Sequence, residues 1–271
     1  MQLGADWIVA CPHCAAPIVK SQGDSPYILL PTIIKLVREL WSDGRTSFGL
    51  GRGCSDNPAK CIKCKNYFWW NEAEDVCHYV HQDRELESEH TSIPEILTAF
   101  ARHPDKPTEK EYYQLISDGF AKTRSQQLSL RTAAWRRSND AFRRHTDSDA
   151  ATISMTSLER QENLEALAEL AGSGLHDENN DIRDHYLIMK AEILRELGKF
   201  SSALSLLDQI DYSSLRADIA QQLRRSCWDS DSIVLQLDMI SIKNNRPKNR
   251  FGLNRPPTNS TLSEQNHSDM S

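Results

Sequence analysis

The sequence predicts an α+β fold that is mostly α, with a small β-rich module at the N-terminus and helical hairpins after it. Three observations carry this expectation. Two Cys-x-x-Cys pairs, Cys11-Pro12-His13-Cys14 and Cys61-Ile62-Lys63-Cys64, lie beside short β-capable runs at 7–10 and 66–70. From residue 92 onward, hydroxyl residues recur three positions before glutamate, the signature of a helix N-terminus. Between 187 and 210, large and small apolar residues alternate around a turn glycine.

The cysteine pairs are the most specific signal. Seven cysteines, at 11, 14, 54, 61, 64, 77 and 227, are an odd number in a chain of 271 residues, which suits a reducing compartment better than a disulfide framework. Two intervening residues let both sulfurs of a pair turn onto one ion, and two such knuckles complete a tetrahedral thiolate shell. Cys11, Cys14, Cys61 and Cys64 are therefore the expected ligands of one structural zinc ion. Residues 15–60 separate the knuckles, far more than the roughly 15–20 of a minimal zinc ribbon. Loop closure grows only logarithmically, so tripling the loop costs about 1 kcal/mol. Zinc binding in small modules is worth about 10–16 kcal/mol, and the insertion does not undermine the site.

Rival chemistries fit less well. Cys11-Pro12-His13-Cys14 has the form of a thiol oxidoreductase motif, but Pro17 stands where its helix should run and no βαβ pattern surrounds it. A rubredoxin-like iron site uses the same ligands, yet neither knuckle is followed by glycine. Cys54, Cys77, His78 and His81 have irregular spacing and read as buried thiols and surface imidazoles rather than as a second site.

Inside the insertion, Ile33, Ile34, Leu36, Val37 and Leu40 form an apolar stripe that predicts a helix over 31–41, packed on the ribbon and ended by Ser42-Asp43-Gly44. The glycines at 49, 51 and 53 lack the lysine and strand-to-helix context of a phosphate loop and mark flexibility. Ser92 with Glu95, Thr108 with Glu111 and Thr156 with Glu159 predict three helix starts. A long helix over about 121–144 places Leu128, Trp135 and Phe142 on one face, with Trp135 as a core anchor. Its Arg131, Arg136, Arg137, Arg143 and Arg144 read as a solvated face balanced by acidic neighbours.

Leu164, Leu167, Ala168 and Ala171 define a further amphipathic helix, followed by a loop at 172–180. The series Leu187, Ala191, Leu194, Gly198, Phe200, Ala203, Leu207 and Ile210 resembles a tetratricopeptide repeat, in which small residues let antiparallel helices approach closely. One such unit cannot bury its face alone, so helices at 157–171, 213–226 and 230–240 are expected to flank it. Residues 241–271 are polar, with Lys243, Arg246, Lys248, Arg250 and Arg255 uninterrupted by acid, and read as a solvated, disordered tail. The expected organisation is a zinc-ribbon domain over 1–90, with its helical insertion at 15–60, connecting helices over 91–150, a tetratricopeptide-like helical region over 151–240 and the tail.

Beyond these features, the sequence resembles a group of uncharacterised bacterial proteins with an N-terminal zinc ribbon and a C-terminal tetratricopeptide-like region. The resemblance rests on Trp41-Ser42-Asp43-Gly44, on Phe68-Trp69 with Glu72-Ala73-Glu74, on Tyr112-Tyr113 and on Ala134-Trp135-Arg136-Arg137-Ser138-Asn139-Asp140. It covers most of residues 7–240, while the segment 46–60, with Cys54, departs from the pattern. It implies an architecture and no activity.

Charge and motif content bound the function. A net charge of −6 provides no global basic field for nucleic acid. No apolar stretch approaches the roughly 18–20 residues that span a bilayer, and no secretory signal precedes residue 7, so a cytoplasmic protein is expected. The sequence has no His-Glu-x-x-His, phosphate loop, nucleophile elbow or dinucleotide fingerprint. Asp43, Glu72, Glu74 and Asp75 read as solvated loop carboxylates. The expected function is a non-catalytic zinc-binding adaptor whose helical surface engages a protein partner. The alternative is a nucleic-acid-associated regulator using Lys60, Lys63, Lys65, the aromatics Tyr67, Trp69 or Trp70, and the basic tail.

Overall fold

The computed structural model describes residues 6–20, 39–45, 57–79, 100–144, 157–211 and 216–238. Its N-terminal part holds two small antiparallel sheets. Strand β1 (Asp6–Ala10) lies between β2 (Pro17–Lys20) and β5 (Glu74–Tyr79), with a bulge between Ile8 and Val9 in the β5 pairing. Strands β3 (Ala59–Lys60) and β4 (Tyr67–Phe68) form the second sheet. One stretch of chain ahead of the first helix joins both. The Val19 amide donates to the Arg102 carbonyl at 3.0 Å, and the Asp105 amide to the Lys60 carbonyl at 3.0 Å. One edge of each sheet, at β2 and at β3, is thereby bridged, which shortens the open edge left as a template for aggregation.

Most of the described residues from 109 to 228 are helical, and successive long helices pack on one another in chain order. These are α1 (Glu109–Ser117), α2 (Arg124–Ser138), the short α3 (Asp140–Arg144), α4 (Leu158–Gly172), α5 (Asn180–Glu196), α6 (Phe200–Leu207) and α7 (Ala217–Trp228). Side-chain caps set the starts of α1, α2, α4 and α5. Thr108 and Glu111 make the expected reciprocal box, and Thr123 with Gln126 makes another that starts α2. The α5–α6 corner follows from Gly198, whose φ of +73° is the left-handed conformation a helix C-terminus favours, with the Lys199 amide donating to the Leu194 carbonyl at 2.8 Å. Leu187, Ala191, Ala203, Leu207 and Ile210 are buried in one cluster with Leu223 and Cys227.

Ala203, fully buried, sits where α5 and α6 meet. Ala203→Phe is expected to overpack this contact and cost about 1–3 kcal/mol while leaving metal content unchanged. Denaturant unfolding alongside elemental analysis checks both halves of that expectation.

Several sequence expectations are corrected. The helix predicted over 31–41 does not reach its end: Leu40 and Trp41 are extended, Trp41 pairs with Gln236, and the Leu237 amide donates to the Leu40 carbonyl at 2.8 Å. Leu40 is buried with the α5–α7 residues and not against the ribbon. Its apolar character reflects this long-range contact, which periodicity cannot distinguish from a helix stripe. Residues 31–38 lie outside the described residues, as do the Ser92 cap, the loop at 46–56 and the tail 241–271.

The long helix at 121–144 begins at Arg124 and breaks at Asn139, whose side chain is committed to a buried network described below. The fourth helix is capped by Ser157, which accepts from the Arg160 amide, one residue after the predicted Thr156. A 3-10 turn, Ser173–His176, occupies the predicted loop, and a Cβ on Gly174 would lie 2.0 Å from the Tyr186 ring. Residues 230–238 are not helical. The Asp231 side chain accepts from the Ile233 amide at 2.9 Å in a local turn, after which the chain extends to pair with 40–42.

Candidate metal centre

The two Cys-x-x-Cys segments fold identically because each closes the same pair of backbone hydrogen bonds. The Cys11 amide donates to Ala16 at 2.9 Å and the Ala15 amide to Cys11 at 2.8 Å; Cys61 donates to Asn66 at 3.0 Å and Lys65 to Cys61 at 2.9 Å. Closing such a tight turn requires a left-handed residue, and Ala15 (φ 54°) and Lys65 (φ 62°) supply it without glycine. This conformation costs a non-glycine residue about 1–2 kcal/mol, so both turns depend on their surroundings. The His13 Nε2 lies 3.0 Å from the Tyr67 carbonyl, tying the first knuckle to β4. His13 is therefore engaged away from the thiols.

The knuckles face each other with all four sulfurs within 4.8 Å of one another. Cys11 Sγ is 3.8 Å from Cys64 Sγ, and Cys14 Sγ is 3.7 Å from Cys61 Sγ. Four sulfurs arranged tetrahedrally at the zinc–thiolate distance of about 2.3 Å would stand about 3.8 Å apart. Cys11, Cys14, Cys61 and Cys64 thus lie close enough to hold one metal ion, as the spacing predicted. Cys11 and Cys61 are buried, with Cys14 and Cys64 toward the rim, and Val9, Ile18, Ala59, Phe68 and Trp70 form the apolar floor. Cys54 and His81 lie outside the described residues, as do the side chains of Cys77 and His78.

As free thiols these cysteines are not alike. Burial pushes Cys11 up to about 12, while the hydrogen bond from the Ala16 backbone brings Cys14 down to about 7. Thiolates are the ligating form, so a metal entering at neutral pH displaces at least the Cys11 proton. Metal affinity is therefore expected to rise about tenfold per pH unit for each proton released. Competition against a chromophoric chelator between about pH 6 and about pH 8 measures the slope; a flat profile contradicts it.

The cations and aromatics assigned to a nucleic-acid surface are largely occupied. Lys60 pairs with Glu111, and Lys65 with Asp105 at 2.8 Å, leaving Lys63 exposed. Trp69 and Trp70 are buried and Tyr67 is half-buried. Trp69 stacks on Phe120 with ring centroids 5.3 Å apart, and Trp70 meets Phe68 edge-on. Of the acids considered for catalysis, Glu72 accepts from the Trp69 amide at 2.9 Å and Glu74 and Asp75 are exposed. Asp43 is different, being fully buried.

Asp43 belongs to a second constellation that sequence reasoning missed. Its carboxylate pairs with Arg143 and accepts from the Asn139 amide at 3.2 Å and the Arg45 backbone amide at 3.1 Å. Asn139 also donates to Glu196 at 3.1 Å, and Glu196 accepts from Trp135 Nε1 at 2.9 Å and from Arg160 at 2.6 Å. Asp140 joins Arg45, Arg137 and Arg143. Two of the arginines expected on a solvated face turn inward: Arg143 is largely buried, and Arg136 donates to the Asp43 carbonyl at 3.1 Å, while Arg131 and Arg137 are half-buried. The motifs Trp41-Ser42-Asp43-Gly44 and 134–140 lie far apart in the chain, and nothing in the sequence signals that they meet.

Among the described residues, no helix is long and apolar enough to cross a membrane. Comparison of this chain with family models, with curated proteins and with solved structures finds no match.

Proposed function

We propose that this chain is a non-catalytic zinc-binding adaptor in which a zinc ribbon, closed by Cys11, Cys14, Cys61 and Cys64, supports a helical surface for a protein partner. The observation that carries the reading is the convergence of four thiols within 4.8 Å of one another on an apolar floor. Four thiolates saturate zinc and leave no position for water or substrate, which suits a structural role and not a catalytic one. Helices stacked in chain order, with Ala191 and Ala203 at the α5–α6 contact, support a tetratricopeptide-like surface of the kind that binds extended partners. Such a protein would act in the cytoplasm, where thiols stay reduced.

A nucleic-acid role would draw on Lys63 and the basic tail, because Lys60 and Lys65 are paired and Trp69 and Trp70 are buried. The test combines metal analysis with a salt titration of binding to random-sequence single-stranded RNA. We expect about one zinc per chain, lost in the Cys61→Ser, Cys64→Ser double variant, and no tight RNA complex. Binding that weakens steeply with salt, as phosphate contacts require, would replace the adaptor reading with the nucleic-acid one.

A further inference from the structure

We propose that occupancy of the four-cysteine site governs the packing of α1 and α2, so that the helical surface is fully assembled only in the metal-loaded chain. This rests on the metal reading above and extends it to regulation. The ribbon and the helices share a strand and its continuation. From 67 to 70 the side chains alternate between two cores. Phe68 and Trp70 lie on the metal floor with Cys11 and Cys61, whereas Tyr67 and Trp69 pack with Tyr112, Leu115, Phe120, Leu130 and Ala133. Successive side chains of β4 point to opposite faces, and the alternation is carried past its end by the extended Trp69 and by Trp70, which starts a 3-10 turn over Trp70–Glu72. Movement of the floor on metal loss therefore moves Trp69 against Phe120.

Three further ties run in parallel. Lys60, the residue before the third ligand, pairs with Glu111 in the first turn of α1, and Glu111 is held down to about 2 chiefly by that lysine. Lys65, the residue after the fourth ligand, pairs with Asp105, whose amide is bonded to the Lys60 carbonyl. The segment between the knuckles is itself anchored in the helical body, since Leu40 is buried beside α5–α7 and Asp43 pairs with Arg143. The ion would close a loop whose middle is fixed to the helices and whose second knuckle is fixed to α1. Opening that loop enlarges the freedom of every element attached to it.

Hydrogen exchange on the full chain, followed by mass spectrometry before and after chelation, tests the proposal, with metal content determined on each sample. Chelation is expected to speed exchange of amides in 109–117 and 124–138 by at least about tenfold, with a smaller change in 217–228, and zinc addition should reverse it. Trp69→Leu removes the ring stack but keeps an apolar side chain. It should retain one metal per chain while α1 and α2 exchange faster before any chelation. Unchanged exchange over 109–138 in protein shown to have lost its metal overturns the proposal alone. Protein that neither carries nor takes up metal overturns it together with the metal reading.

Discussion

Asp43→Ala is expected to destabilise the protein by about 3–5 kcal/mol, the usual consequence of removing one partner from a buried ion pair. The carboxylate is fully buried, and its loss strands Arg143, whose guanidinium burial already pulls down to about 10. Asp140, 2.7 Å from Arg143, offers partial compensation but is shared with Arg45 and Arg137. The Asn139 amide would keep Glu196 and lose Asp43. Asp43→Asn should recover little, because an amide presents donors toward groups that are themselves donors. Urea unfolding monitored by far-ultraviolet circular dichroism measures the change. A loss under about 1 kcal/mol would mean that this network behaves as a surface one.

Glu196→Ala should be of similar size, about 3–5 kcal/mol, because it leaves the Trp135 indole, the Asn139 amide and Arg160 without their common acceptor. Its carboxyl also gives the fold a pH dependence. Burial raises Glu196 to about 7, against the opposing pull of Arg160, with Glu192 adding repulsion. A carboxyl whose folded pKa lies above its unfolded value binds its proton more tightly in the native state. The associated stability is present in full below about 4.3, the ordinary glutamate value, and is lost as pH rises through about 7. Glu196→Gln, which cannot ionise, should flatten that part of the stability profile relative to the unsubstituted chain. Thermal melts across this window report the difference, and parallel profiles for the two proteins would contradict it.

The two knuckles were legible because metal ligation imposes a local spacing that any folded context must respect. The helix starts at 108 and 157, and the Gly198 corner, were readable within one or two residues for the same reason: caps and left-handed turns are local chemistry. Leu40 departs from expectation because an apolar residue at the end of a helix-spaced run also fits an extended segment inserted between distant elements. Arg136 and Arg143 turn inward against expectation because charge suggests solvent unless a buried acid is known to face it. That acid, Asp43, lies far away in sequence and within the loop between the knuckles. Trp69 and Trp70 show the same limit: both lie just past β4, and their adjacency gives no sign of which core each ring enters.

The central claim is that Cys11, Cys14, Cys61 and Cys64 hold one zinc ion in a closed thiolate shell. X-ray absorption at the metal edge of the purified 271-residue chain is the test, because the edge identifies the element and the fine structure reports its neighbours. The account predicts a zinc edge and a single shell of four sulfurs at about 2.3 Å, with no nitrogen or oxygen ligand. An iron edge, or a shell in which oxygen or nitrogen replaces a sulfur near about 2.0–2.1 Å, would contradict it.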